Sequence, residues 1–246
     1  MKEEIRKLKE WVDQSERIVF FGGAGVSTES GIPDFRSTDG LYHQQWKYPP
    51  ETILSHTFYE SKPEEFFEFY HAKLLVDGIQ PNAAHKKLAE WEAQGKLTAI
   101  VTQNIDGLHQ AAGSRRVLEL HGSVHRNYCE KCGKFYGFDF MLHSKGVPHC
   151  DAVLSNGKEC GGRIKPDVVL YEEGLDNRIL ENAIQAIADA DLLIIGGTSL
   201  NVYPAAGLIH YYRGNRLALI NKGEVAQSLH GALVIRDPIG EVMSQL

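Results

Sequence analysis

Gly23 and Gly25 flank Ala24 directly after an apolar run, and Val26, Ser27 and Thr28 follow. Glycines in such a turn let the backbone approach a pyrophosphate, and a helix N-terminus behind it supplies N–H donors. Taken alone, the turn could also hold no ligand. The acidic residue that grips a ribose in dinucleotide oxidoreductases, about 20 positions further on, is missing, and no Lys follows the glycines as a triphosphate-binding loop requires. Gly31, Ile32, Pro33, Asp34, Phe35 and Arg36 come next. Arg36 can pair with phosphate or ribose, and Phe35 can shield a reactive carbon from water.

A second polar loop, Thr102 to His109, follows the apolar run Leu97 to Thr102 and contains Gln103, Asn104, Ile105 and Asp106. Ligands of open α/β sheets sit beyond the carboxyl ends of strands, where this loop would lie. A third candidate strand delivers His121 and Gly122 to the same edge. Each element has a plain alternative, since the loop could cap a helix and a lone histidine is often structural.

All four cysteines, Cys129, Cys132, Cys150 and Cys160, fall within one stretch. Four thiolates satisfy a closed tetrahedral zinc site, a structural rather than catalytic arrangement because no position stays open for water. Two disulfides are disfavoured in a cytoplasmic chain, while independent buried thiols stay open. The nine residues Asp151 to Glu159 separate the last two cysteines, and His149 stands as an alternative ligand.

These residues need a frame, and the chain supplies one. Nearly continuous apolar strands are expected at Arg17 to Gly22, Leu97 to Thr102 and Asp191 to Gly196, with further strands at Val117 to Leu120, Asp167 to Tyr171, Arg216 to Ile220 and Leu233 to Ile235. Helical patterns at Asn82 to Gln94, Leu175 to Ala190 and Val202 to Tyr212 alternate with them, which argues for a doubly wound parallel sheet. Two stretches break the rhythm. Ser37 to Gln80 is rich in aromatic residues, with Ser61 and Glu64 spaced as a capping box before an amphipathic helix, and Asn127 to Gly162 holds the cysteines. The expected division is a large α/β domain over 1–36, 81–126 and 163–246, with 37–80 and 127–162 forming a smaller one.

Across 246 residues, 43% are hydrophobic and 24% charged, as in ordinary globular proteins. The formal net charge of -6 opposes nonspecific attraction to nucleic acid or anionic membrane, though a basic peptide stays acceptable. The N-terminus lacks the apolar core of a signal peptide, and no run approaches the roughly 20 apolar residues of a membrane span. A cytoplasmic address is expected. A monomer is the working expectation, although nothing in the sequence sets an oligomeric state.

The runs GAGVSTESGIPDFRS and TQNIDGLH, the pair HG and the later runs GTSL and VYPAA resemble the sirtuin family, from about Lys2 to Ile239. The resemblance implies a Rossmann-type domain, a small zinc-bearing domain, and a cleft between them for NAD and an acyl-lysine peptide. By position, Ala24, Thr28, Phe35, Arg36 and Gln103 would line the NAD pocket, Ile105 and Asp106 would hold nicotinamide, and Thr198, Ser199, Asn221 and Ile239 would hold the adenosine half. Asn104 would order the ribose and a water. His121 would be the general base. In the implied reaction the acyl-lysine oxygen attacks the ribose carbon as nicotinamide leaves, a ribose hydroxyl deprotonated by His121 attacks the resulting imidate, and one water is consumed as lysine is released. The products are free lysine, nicotinamide and O-acetyl-ADP-ribose. Cys160, followed by Gly161 and Gly162, looks like the family's fourth zinc ligand, although the family's usual second C-x-x-C is here opened into a longer loop.

The segments Val168 to Glu173 and Asn201 to Pro204 resemble the two edges between which sirtuins clamp a substrate strand. Val168, Leu170, Tyr171 and Val202 are therefore candidate substrate contacts. Tyr70 and Lys73 share a helix face by spacing and could reach one pocket, where sirtuins that remove succinyl or malonyl groups have Tyr and Arg; the plainer reading packs Tyr70 in the lobe and leaves Lys73 in solvent. Lys in place of Arg implies acetyl as the better substrate, because an ammonium lacks the planar fork that binds carboxylate. Action on other acyl groups, ADP-ribosyl transfer, an NAD-dependent dehydrogenase and a nonenzymatic NAD sensor are the competing readings.

Overall fold

The computed structural model of the chain describes residues 2–35, 40 and 46–246. Arg36 lies outside the described residues. In chain order the strands are β1 (Ile18–Gly22), β2 (Leu97–Thr102), β3 (Val117–Glu119), β4 (Gly122–Cys129), β5 (Phe135–Tyr136), β6 (Ile164–Val168), β7 (Leu192–Gly196), β8 (Leu217–Ile220) and β9 (Leu233–Ile235). Six of them form a sheet in the order β3-β2-β1-β7-β8-β9, and every pairing in it is parallel. Counted within the sheet alone, this is the Rossmann order 3-2-1-4-5-6.

The apolar runs of β1 and β7 are buried along their whole length, as strands covered on both faces must be. Ile18, Phe20, Ile100 and Ile194 pack on one side against Leu8, Leu88, Trp91 and Val242 of the helices Glu3–Asp13, Ala83–Ala93 and Ile239–Met243. Val19, Phe21, Leu193 and Ile195 face Ala183, Ile187 and Leu208 on the other. The covering helices start where side chains can satisfy free N–H groups. Asp176 Oδ1 accepts from Arg178 N and Ile179 N at 2.8 and 3.1 Å, opening Asn177–Asp189. Asn82 accepts from Ala84 N at 2.9 Å, opening Ala83–Ala93.

Three expectations need correction. Ser61 starts no helix: it closes His56–Ser61, and its hydroxyl donates back to Thr57 O at 2.7 Å. The next helix begins at Pro63 behind Lys62, because the fixed φ of proline suits a first helical position. The expected parallel strand at Asp167 to Tyr171 is instead β6, which ends at Val168 and runs antiparallel to β4 in a separate sheet ordered β5-β4-β6. Its alternating burial is that of a strand covered on one face. The segment expected as a helix at Val202 to Tyr212 is a shorter 3-10 turn over Ala205–Tyr211.

A third core joins the two interrupting stretches. Phe58, Tyr59, Phe66, Phe67, Phe69 and Tyr70 pack with Val124, Tyr136, Met141, Ile164, Val168 and Leu170. The edge 164–170 thus shares the small lobe's core, although it follows the cysteine stretch in sequence. Among the described residues no helix is long and apolar enough to cross a membrane.

Candidate active site

Strand order reverses between β1 and β7, and the two loops that leave them meet at once. Gly23 N donates to Gly196 O at 3.2 Å and Gly25 N to Gly197 O at 2.8 Å. A Cβ on Gly25 would lie 2.8 Å from Gly197 Cα, so only glycine allows this approach. Beyond the junction opens a cleft of about 800 Å³, within the range of about 300–1,000 Å³ usual for ligand pockets.

The β1 loop brings Ala24, Thr28 and Phe35 to its wall, and the β2 loop brings Gln103, Asn104, Ile105 and Asp106. From the other half of the sheet come Thr198, Ser199, Asn221 and Ile239, and His121 stands at the entrance to β4. Gln103 Nε2 donates to Thr198 Oγ1 at 3.1 Å, joining the β2 and β7 loops across the switch point. No carboxylate ends β2, where a dehydrogenase would hold its ribose; Gln103 and Asn104 stand there instead.

Ser27 organises the polar centre, and the sequence reading passes over it. Its hydroxyl donates to Asp106 Oδ2 at 2.6 Å and accepts from Asn104 Nδ2 at 3.2 Å. Asp106 Oδ1 accepts from Leu108 N at 2.9 Å, and Asn104 N donates to Thr102 Oγ1 at 3.0 Å. The two side chains are therefore held relative to each other by one buried hydroxyl. Ser27 sits inside the glycine-rich run, where its small size reads as turn chemistry, and nothing local announces a partner 79 residues away.

His121 Nδ1 lies 3.1 Å from Gln103 O. Donation from Nδ1–H to that carbonyl leaves Nε2 with the lone pair a base needs. Burial lowers the imidazole pKa, and the Gln103 hydrogen bond opposes that shift. The ring is thus neutral, and able to accept a proton, at neutral pH. Val169 N donates to His121 O at 3.0 Å, fixing its backbone.

The same cleft is walled by Val168, Leu170 and Tyr171 on one side and by Val202 on the other. Tyr171 N donates to Leu54 O and Tyr171 O accepts from His56 N, at 2.9 and 3.0 Å, tying the first edge to the small lobe. Lys73 lines the cleft and holds its ammonium 5.7 Å from the Trp46 ring centroid. Tyr70 does not reach the wall: it is fully buried in the aromatic core, stacked on Phe66 with centroids 6.0 Å apart. Tyr70 thus packs in the lobe, as the plainer of the two readings has it, and of the pair only Lys73 stands at the cleft.

The four cysteines converge. Their sulfurs all lie within 4.8 Å of one another, with Cys129–Cys160 at 3.6 Å and Cys132–Cys150 at 3.5 Å. Zn–S bonds of about 2.3 Å in a tetrahedron set sulfurs about 3.8 Å apart, whereas a disulfide needs about 2.05 Å. The donor set thus fits one zinc ion and excludes disulfides. Backbone N–H groups of Lys131 and Ala152 approach the sulfurs of Cys129 and Cys150 at 3.4 Å each, as is common around thiolates. His149 is exposed and bonds Gly161 O through Nδ1 at 3.1 Å, outside the four-sulfur cluster. Residues 151–159 fold into a hairpin, with Val153 paired to Glu159.

A Rossmann sheet whose switch-point cleft is closed by a four-thiolate lobe places the chain in the class of nucleotide-binding enzymes with a structural metal module. Residues 23–204 match the sequence model of the Sir2 family, and the chain belongs to that family. It is 58% identical over 249 residues to an NAD-dependent protein deacetylase of Clostridium perfringens, covering 100% of this chain and 99% of that protein. It is 57% identical over 244 residues to one of Clostridium acetobutylicum, covering 98% and 97%. A solved structure described as Sir2 bound to acetylated peptide superposes with a TM-score of 0.83 at 34% identity, covering 100% of this chain and 97% of that one.

Proposed function

We propose that this protein is an NAD-dependent protein lysine deacetylase that moves the acetyl group of acetyl-lysine onto the ADP-ribose portion of NAD and releases nicotinamide. The observation that carries the reading is the grouping of Ser27, Asn104, Asp106 and His121 at the switch point of a Rossmann sheet. A protein that only binds NAD has no need of a base there. When bound, NAD supplies a ribose carbon from which nicotinamide leaves as a neutral base.

Around it this chain's own residues would act as follows. The Gly23–Gly25 turn, Thr28 and Arg36 hold phosphates, Ala24 and Gln103 complete that wall, and Phe35 keeps water off the reacting carbon. Thr198, Ser199, Asn221 and Ile239 form the adenosine side. Ile105 and Asp106 hold the nicotinamide amide, and Asn104 orders ribose and water. His121 takes a proton from a ribose hydroxyl at Nε2, with Nδ1–H anchored on Gln103 O. Val168, Leu170, Tyr171 and Val202 clamp the substrate as an added strand through main-chain groups, which suits many peptide sequences. Lys73, with Tyr70 behind it in the core, stands nearest the acyl end.

We also propose a large domain of 1–36, 81–126 and 163–246 and a small one of 37–80 and 127–162, with the edge 164–170, though assigned to the large domain, packing into the core of the small one. One structural zinc ion on Cys129, Cys132, Cys150 and Cys160 would hold the small domain together. The partners are acyl-lysine proteins, with no direct nucleic acid or membrane role, consistent with the net charge of -6. The thiolate site requires reduced cysteines, which supports a cytoplasmic address, and a cleft completed by one chain supports a monomer.

The test is mass spectrometry after incubating the protein with NAD and an acetyl-lysine peptide. Deacetylated peptide, nicotinamide and O-acetyl-ADP-ribose in equal amounts are expected. Reduced nicotinamide, seen by absorbance, would point to a dehydrogenase instead, and NAD binding without turnover would point to a sensor.

A further inference from the structure

We propose that His125 is a positioning residue for the loop that holds nicotinamide, carried over that loop by a bulge in β4. The inference rests on the placement of nicotinamide at Ile105 and Asp106 given above. It assigns a role to a histidine that neither the motifs nor the base chemistry of His121 accounts for.

The bulge is visible in the register. On β4, Ser123 pairs with Asp167 and Asn127 with Pro166, so consecutive residues of β6 face residues four apart on β4. Val124, His125 and Arg126 leave the ladder, and bulges next to active sites commonly re-aim side chains. Arg126 fixes the base of the bulge, bonding Asp167 Oδ2 at 2.7 Å and the buried Glu119 Oε2 at 2.6 Å. The other two residues grip successive peptides of the β2 loop. Val124 N donates to Ile105 O at 3.0 Å, and His125 Nε2 lies 3.0 Å from Asp106 O.

The loop is shaped to receive the ring. Gly107 has φ +73°, and a Cβ there would lie 2.7 Å from both Cδ2 and Nε2 of His125. Phe138 backs the imidazole, with centroids 5.0 Å apart and planes 31° apart. With its proton on Nε2, the His125 ring donates to the Asp106 carbonyl. His125 therefore holds the Asp106 carbonyl while Ser27 holds its carboxylate. Without the imidazole, the Asp106 carbonyl loses this donor, and the peptide between Asp106 and Gly107, which carries the groups presented to nicotinamide, is held less tightly.

The experiment compares wild type with His125→Ala and His125→Gln, measuring KM for NAD, KM for an acetyl-lysine peptide, the inhibition constant of nicotinamide, and the melting temperature. His125→Ala should raise both the NAD KM and the nicotinamide constant about three- to tenfold, the span of one net hydrogen bond, and leave the peptide KM alone. His125→Gln, whose Nε2 can reach the same carbonyl, should recover most of the loss. Gly107→Ala should cost less in the His125→Ala background than in wild type, because the clash with the ring is gone. A wild-type protein that releases no nicotinamide from NAD and peptide would overturn the deacetylase reading itself. An active wild type whose nicotinamide constant is unmoved by His125→Ala would overturn only the role of His125, as would a glutamine variant no better than alanine. Equal changes in every constant with a lower melting temperature would mark a merely structural residue and also overturn it.

Discussion

Ser27→Ala tests the polar centre at its joint. The substitution removes a 2.6 Å donor from the Asp106 carboxylate and a 3.2 Å acceptor from the Asn104 amide, without changing the fold of the turn. A hydrogen bond to a charged group contributes about 1.5–3 kcal/mol, and an amide left unpaired costs about 1–3 kcal/mol. Both groups line the cleft, so in the free protein water can replace part of what is lost, and stability should change little. Bound substrates exclude that water, and the deficit then falls on the reaction. A net loss of about 2.7 kcal/mol is expected, which is about a hundredfold in kcat/KM. Initial rates of nicotinamide release and peptide deacetylation, followed chromatographically with a thermal melt on the same sample, measure both quantities. Activity within threefold of wild type, or loss of activity matched by collapse of the melting temperature, would refute the reasoning.

Replacing His121 with Ala should leave NAD binding largely intact and cut deacetylation by about a hundredfold or more; in wild type the acid limb of the pH–rate profile should fall below the ordinary histidine pKa of about 6.5, because burial lowers that of His121. Stripping the metal, or Cys160→Ala, should lower melting temperature and activity together without changing the products, and metal analysis should return one zinc per chain. His85 and His109 pack with ring centroids 4.8 Å apart, and burial lowers both pKa values. The unfolded chain therefore takes up protons first as pH falls below about 6.5. Stability is full above that pH and is lost on acidification by up to about 1.4 kcal/mol per pH unit for each ring. Melts between pH 8 and 5 should show a shallower slope for His109→Leu than for wild type. On one peptide carrying acetyl, succinyl or long-chain acyl groups, catalytic efficiency should be highest for acetyl; a wild-type preference for succinyl would refute this, and a gain in desuccinylation by Lys73→Arg would show that position 73 faces the acyl group.

The parallel sheet was legible because burial on both faces writes itself into uninterrupted apolar runs such as Ile18–Gly22 and Leu192–Gly196. The cysteines were legible because ligation demands residue types that little else explains. Less could be read where a side chain's meaning depends on a distant partner. Asp167 to Tyr171 resembled one more parallel strand, since local composition does not say that the cysteine stretch returns the chain alongside β4. Tyr70 and Lys73 share a helix face in spacing, yet an aromatic core absorbs the ring and leaves the ammonium at the cleft. Ser27 and His125 act through loops 79 and 19 residues away, a linkage that only the folded chain creates.

The hairpin between Cys150 and Cys160 closes on itself: Leu154 N meets Lys158 O at 2.8 Å and Cys160 N meets Ala152 O at 2.7 Å. The two ligands sit side by side at its base, so the number of residues in the arm has no bearing on where their sulfurs stand. Residues 155–157 at its tip are exposed, and doubling the length of a flexible loop costs only about 0.6 kcal/mol. The arm is therefore a natural splice site, where an affinity tag, a fluorophore-bearing peptide or a small guest domain can be inserted while the metal keeps its cage.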